Sequence, residues 1–174
     1  MSKVKSNAVA MAFDLSRVTA RDIAPLLKAI SAGAFSNMAG ILALVATECP
    51  AEWGEPNDAK TYAQLKLDDL GLAWKAFKME IESHKADVKV TFALDTMTIE
   101  QYDTLNAGLR RANEPEVVAA LLAEHVVACD VVDRVDDAEQ YLSLPYYTQF
   151  IALTRSLSGA AEKELTNFRK RFID

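Results

Sequence analysis

The sequence predicts a mainly α-helical protein made of two tandem, internally repeated helical units, each led by one short β-strand. Three observations predict it. Apolar residues recur at helical spacing through most of the chain, which is the primary signal for helix. The pattern of the first half also returns in the second: Phe13, Leu15, Thr19, Leu26, Tyr62 and Leu65 are answered by Phe92, Leu94, Thr98, Leu105, Tyr141 and Leu144, at an offset of seventy-nine residues. Ile41, Leu42 and Cys49 are answered by Leu121, Leu122 and Cys129 at an offset of eighty, which one inserted residue explains. Finally, Ser83–Asp87 is the one polar stretch that reads as a joint, and it divides the chain into units 1–87 and 88–174. Whether these pack separately or as one domain is left open.

Taken in order, Ala8–Leu15 reads as a weak strand, with Phe13 and Leu15 on one face. Thr19 with Asp22 is a variant capping box that opens a helix carrying Ile23, Leu26, Leu27 and Ile30, and Gly33 supplies its left-handed stop. Ser36 and Asn37 cap a second helix with Met38, Ile41, Leu42 and Val45, ending near Cys49-Pro50. The Pro, Gly and Asn content of Pro50–Asp58 marks a loop. A longer helix from about Asp68 to Ser83 places Leu70, Trp74, Phe77 and Ile81 at i, i+4, i+7 and i+11. Val88–Leu94 alternates apolar and polar residues and is the clearest strand. Thr98 and Gln101 form a full capping box before a helix with Ile99, Tyr102, Leu105 and Leu109. Pro115 suits the first position of the next helix, preceded by Asn113 or Glu114, with Val117, Val118, Leu121, Leu122 and Val126 on its apolar face. Asp130–Glu139 is an acidic loop. Ser143 and Pro145 open a last helical stretch with Tyr147, Phe150, Ile151 and Leu157, and Gly159 is expected to break it before Ala160–Arg171.

Composition narrows the function classes. At 174 residues the chain can bury a core without disulfides or metal. Its formal net charge of −6 argues against a nucleic-acid surface. The basic cluster Lys163 with Arg169-Lys170-Arg171 suits the C-terminal end of a helix dipole. No apolar run is long enough to span a bilayer. Met1-Ser-Lys-Val-Lys leads into no apolar core or processing site, and two cysteines without an export signal point to a reducing compartment. The expected location is the cytoplasm.

Each chemistry-bearing group has a bland reading beside the sharp one. Cys49 and Cys129 hold equivalent places, but a zinc site wants about four ligands at diagnostic spacing, and only His84 and His125 could join them. They read as small buried hydrophobes at the end of a packed helix. Asp130, Asp133, Asp136 and Asp137 lack the alternation and central Gly of a calcium loop, and read as solvated acids. His125 with Asp130 could do general-base work, yet no nucleophile elbow or phosphate cradle accompanies them. His125 reads as a helix-face histidine and His84 as solvated. No cofactor, metal or catalytic set is predicted. Trp74, Phe77, Tyr147 and Phe150 lie on helical stripes that are either core or the lining of an apolar groove for a partner segment.

The second unit carries Leu94-Asp-Thr-Met-Thr-Ile-Glu-Gln-Tyr102, then Ala119-Ala-Leu-Leu122, Val126-Val-Ala-Cys-Asp-Val-Val-Asp133 and Tyr141-Leu-Ser-Leu-Pro-Tyr146. Over about these sixty residues it resembles the tail assembly chaperones of long-tailed bacteriophages, with Cys129 where a Trp is expected. The resemblance implies a small helical protein of the infected cell's cytoplasm. Such a protein would hold an aggregation-prone tape-measure protein during tail assembly. A non-enzymatic chaperone or adaptor is therefore expected, contacting an apolar helical segment through Trp74, Phe77, Tyr147 and Phe150. The alternative is a structural subunit of a multimeric particle, and homo-oligomers fit either expectation.

Overall fold

A computed structural model describes residues 9–34, 36–84, 86–111 and 115–173, with backbone only at Ser31 and at 107–111. The chain is mainly helical, with two small two-stranded sheets. In the first half the order is β1 (Ala12–Phe13), a 3-10 turn (Leu15–Arg17), α1 (Ala20–Ser31), α2 (Asn37–Val45), β2 (Ala46–Glu48), α3 (Ala59–Ala63) and α4 (Leu67–Ser83). The second half runs β3 (Val90–Phe92), α5 (Ile99–Arg111), α6 (Pro115–His125), β4 (Val126–Cys129) and α7 (Ala138–Leu142). A π-turn (Tyr146–Phe150) then feeds α8 (Ile151–Phe172).

Several residues seventy-nine or eighty apart do like local work. Thr19 and Asp22 exchange capping bonds, the Asp22 N–H donating to Thr19 Oγ1 at 3.3 Å and the Thr19 N–H to Asp22 Oδ2 at 3.1 Å. Thr98 and Gln101 repeat the exchange at 3.1 and 2.9 Å. Each satisfies two of the donors that a helix start leaves orphaned. β1 pairs antiparallel with β2 and β3 with β4, and both ladders shift register one step before Phe13 or Phe92. Asp58 and Asp137 cap α3 and α7. Behind them the Tyr62 hydroxyl donates to the Pro56 carbonyl and the Tyr141 hydroxyl to the Val135 carbonyl, both at 2.9 Å. One apolar cluster runs through both halves, from Leu15 and Ile23 to Leu153 and Leu157.

Several elements differ from the sequence expectation. The segments after α2 and α6 leave the helix as strands, because each can pair with the strand ahead of its own unit. The left-handed stop after α1 is present, with Gly33 at φ 93. Ser36 makes no side-chain cap; Asn37 instead reaches back, its Nδ2 donating to the Ala34 carbonyl. The Leu109 side chain, Asn113 and Glu114 lie outside the described residues. Gly159 does not break the last helix, since buried Leu153, Leu157 and Ala161 hold α8 together on both sides of it. The irregularity falls earlier. Pro145, which has no N–H, starts a π-turn in which its carbonyl accepts from both Gln149 and Phe150.

Gly71 in α4 and Gly159 in α8 are exposed, and a methyl group at either would meet nothing within 4 Å beyond its chain neighbours and its own helix backbone. Glycine within a helix costs roughly 0.5–1 kcal/mol against alanine, through unfolded-chain entropy. Gly71→Ala and Gly159→Ala should each stabilise by about that much and raise the melting temperature by a few degrees in calorimetry.

Candidate functional site

The four aromatics expected at a partner groove come together, but inside the protein. Phe77 of α4 meets Tyr147 edge-on with centroids 5.0 Å apart, Phe13 at 5.5 Å and Trp74 at 5.3 Å. Tyr146 continues the cluster to Tyr147 and Phe150. Phe77, Tyr147 and Phe150 are buried and Trp74 half-buried. The expectation that these side chains meet a partner is corrected for three of them. A helical stripe at i, i+3 and i+7 spacing faces the core or a partner equally well, and here α4 turns it onto the π-turn of the other half. Burial pushes the Tyr146 hydroxyl up to about 12 and the Tyr147 hydroxyl higher still.

His125 sits on the buried face of α6 with no exposure. Its Nδ1 donates to the Ala93 carbonyl at 3.1 Å, and its own carbonyl accepts the Ala93 N–H at 2.8 Å, so it clamps the end of α6 to β3. Its Nε2 is buried and has no partner among the described residues. Asp130 is occupied too: its carboxylate accepts the Lys89 N–H at 3.1 Å. Asp137 also serves the loop, capping α7 and pairing with Arg134. Among the described residues no group of three or more His, Cys, Asp or Glu is placed to hold a metal. Cys49 and Cys129 are free and half-buried, Cys49 just after β2 and Cys129 at the end of β4, not at helix ends as expected. Burial pushes the Cys49 thiol up, and its S–H donates to the Gly54 carbonyl at 3.3 Å. His84 is exposed, as expected, beside Glu80.

The open apolar surface lies elsewhere. Leu94, Met97, Ile99 and Tyr102 form one wall of a groove of about 300 Å³, and Ala161, Leu165 and Phe168 of α8 form the other. Asp95 and Glu164 stand at its rim. From Phe168 the apolar stripe of α8 runs out past the groove to Phe172, the two rings 5.1 Å apart, and on to Ile173. All three are exposed, beside the cations Arg169, Lys170 and Arg171. Exposed apolar residues gathered in one place are a candidate interaction surface, whereas ones scattered singly are ordinary. Sequence reasoning missed this stripe. Its signal was Leu165, Phe168 and Phe172 at i, i+3 and i+7 within the basic segment that was assigned to the helix dipole alone. Compared with known proteins, the chain matches no family model, no curated protein and no solved structure.

Proposed function

We propose that the protein is a non-enzymatic assembly chaperone or adaptor that holds an apolar helical segment of a larger protein, of the tape-measure kind, in the cytoplasm of an infected cell. The observation that carries this reading is the exposed end of α8, where Phe168, Phe172 and Ile173 lie among Arg169, Lys170 and Arg171. That chemistry fits a helix whose apolar face is flanked by acidic residues, the helix-against-stripe mode of recognition. Each large side chain covered contributes roughly 1.5–3 kcal/mol, so a few suffice for a reversible grip. His125 and Asp130, the candidate general base and its carboxylate, are engaged with Ala93 and Lys89 on either side of β3. No described helix is long and apolar enough to cross a membrane.

Co-expression with a coiled-coil-rich, aggregation-prone tape-measure polypeptide tests the reading. The partner should stay in the soluble fraction with the native chain and precipitate with Phe168→Asp/Phe172→Asp. A partner equally insoluble in both cases rules the reading out. A second reading, a subunit of a multimeric particle, is favoured by one specific feature: two backbone edges whose counterparts are covered inside the chain stay open at its surface.

A further inference from the structure

The two halves meet head to tail. The front of the first half is Val18-Thr19-Ala20, at the start of α1, and the back of the second is Leu144-Pro145-Tyr146, after α7. The Ala20 N–H donates to the Leu144 carbonyl at 3.1 Å and the Tyr146 N–H to the Val18 carbonyl at 2.8 Å, with Thr19 and Pro145 forming the bridge between. Arg21 and Glu139 pair beside it. At this contact the apolar side chains of the front are covered: Leu15, Val18, Ala20 and Ile23 are 4%, 1%, 0% and 0% exposed.

A head-to-tail contact leaves one front and one back unused. The counterpart front is Met97-Thr98-Ile99 and the counterpart back is Leu65-Lys66-Leu67. Among the described residues no backbone bond joins them, and no backbone carbonyl accepts the N–H of Ile99 or Leu67. Where Ala20 and Tyr146 are buried, Ile99 is 61% and Leu67 86% exposed. Leu94, Met97 and Tyr102, the counterparts of Leu15, Val18 and Ile23, are half-exposed and line the groove. The charges correspond as well. Glu100 stands where Arg21 does and Lys60 where Glu139 does, both exposed, so the pair is kept with its signs exchanged.

We propose that a second copy of this chain docks its Leu65-Lys66-Leu67 edge on Met97-Thr98-Ile99, repeating between chains the junction that exists within each. The Leu67 N–H then donates to the Met97 carbonyl and the Ile99 N–H to the Leu65 carbonyl. Leu67 enters the groove beside Tyr102, and its smaller bulk in the place of Tyr146 offsets the larger Ile99 in the place of Ala20. Lys60 meets Glu100. An exposed ion pair adds little affinity, but it sets register and rejects the wrong match, since Lys60 against Arg21 or Glu139 against Glu100 would repel. Phe168 lines the groove and belongs to both surfaces, whereas Phe172 and Ile173 lie beyond it. Substitutions at Leu67 and Lys60 leave the α8 stripe untouched, so failure of the junction and failure of the partner reading are distinguishable. Because the joined surfaces differ, the contact is heterologous and propagates into a ring or a filament.

Sedimentation velocity on the full chain tests this. The native protein should exceed its 19.1 kDa protomer mass, increasingly so with concentration. Leu67→Asp and Ile99→Asp, both at exposed positions, should each reduce it to the protomer while leaving the far-UV circular dichroism unchanged. An equimolar mixture of the two should give a species of two chains and nothing larger, since each variant keeps one intact face. Lys60→Glu should weaken assembly, and Lys60→Glu/Glu100→Lys should restore it. A native protein that stays a protomer at every soluble concentration overturns the proposal. So does a mixture that stays monomeric, or an oligomer that survives both single substitutions.

Discussion

Phe77→Ala should cost about 3–5 kcal/mol, the range for emptying the space of a buried aromatic ring. That is a large part of the roughly 5–15 kcal/mol that holds a domain folded. Phe77 is 1% exposed and touches three other rings, those of Phe13, Trp74 and Tyr147. Those rings come from β1, α4 and the π-turn, so the void would open where the halves join and no single element could close it. The urea midpoint should fall with little change in slope, both halves still unfolding in one transition. Trp74→Ala, at the half-exposed edge of the cluster, should cost less. Equal losses at the two positions would mean that the cluster is not centred on Phe77.

Stability should begin to fall near pH 10 and fall more steeply above it, with unfolding following at higher pH. Burial raises the hydroxyls of Tyr62, Tyr141, Tyr146 and Tyr147 above their ordinary value of 10.0, that of Tyr146 to about 12. Below pH 10 these protons are held in both the folded and the unfolded chain, and stability does not depend on them. Above it the unfolded chain releases protons that the fold retains, so stability falls as pH rises. Each retained proton steepens that fall by about 1.4 kcal/mol per pH unit. Tyrosinate absorbance followed together with circular dichroism checks this: the buried tyrosines should ionise along with the loss of helix. Smooth ionisation of all of them while the helices persist would refute it.

What could be read ahead of the structure was whatever local chemistry decides. Thr19 with Asp22, Thr98 with Gln101 and Gly33 mark helix ends through bonds and dihedrals that need no distant partner, and all three act as expected. The long helix ending at Ser83 and the strand around Val90–Phe92 were legible from periodicity. Strands β2 and β4 were not. Ala46–Glu48 and Val126–Cys129 continue the apolar pattern of the helices before them, and only pairing with β1 and β3 turns them into strands. The helices after Asp58 and Asp137 span too few residues to show a period. At the site the limit was of another kind. A stripe such as Trp74, Phe77 and Ile81 says that one face is apolar, not what covers it. Ala20 and Ile99 occupy like positions with opposite exposure, and only the head-to-tail packing of the halves separates them.

The junction of Val18–Ala20 with Leu144–Tyr146 also bears on how the chain is made. Its two sides are roughly 125 residues apart, so on a ribosome adding about 5–20 residues per second the first side waits on the order of ten seconds for the second. During that interval Val18, Ala20 and Ile23 are an open apolar edge on a nascent chain. The back edge Leu65–Leu67 of any finished copy nearby presents the same backbone pattern, with Lys60 set against Arg21. That like-charge match disfavours the wrong pairing while the chain's own second half is still to emerge.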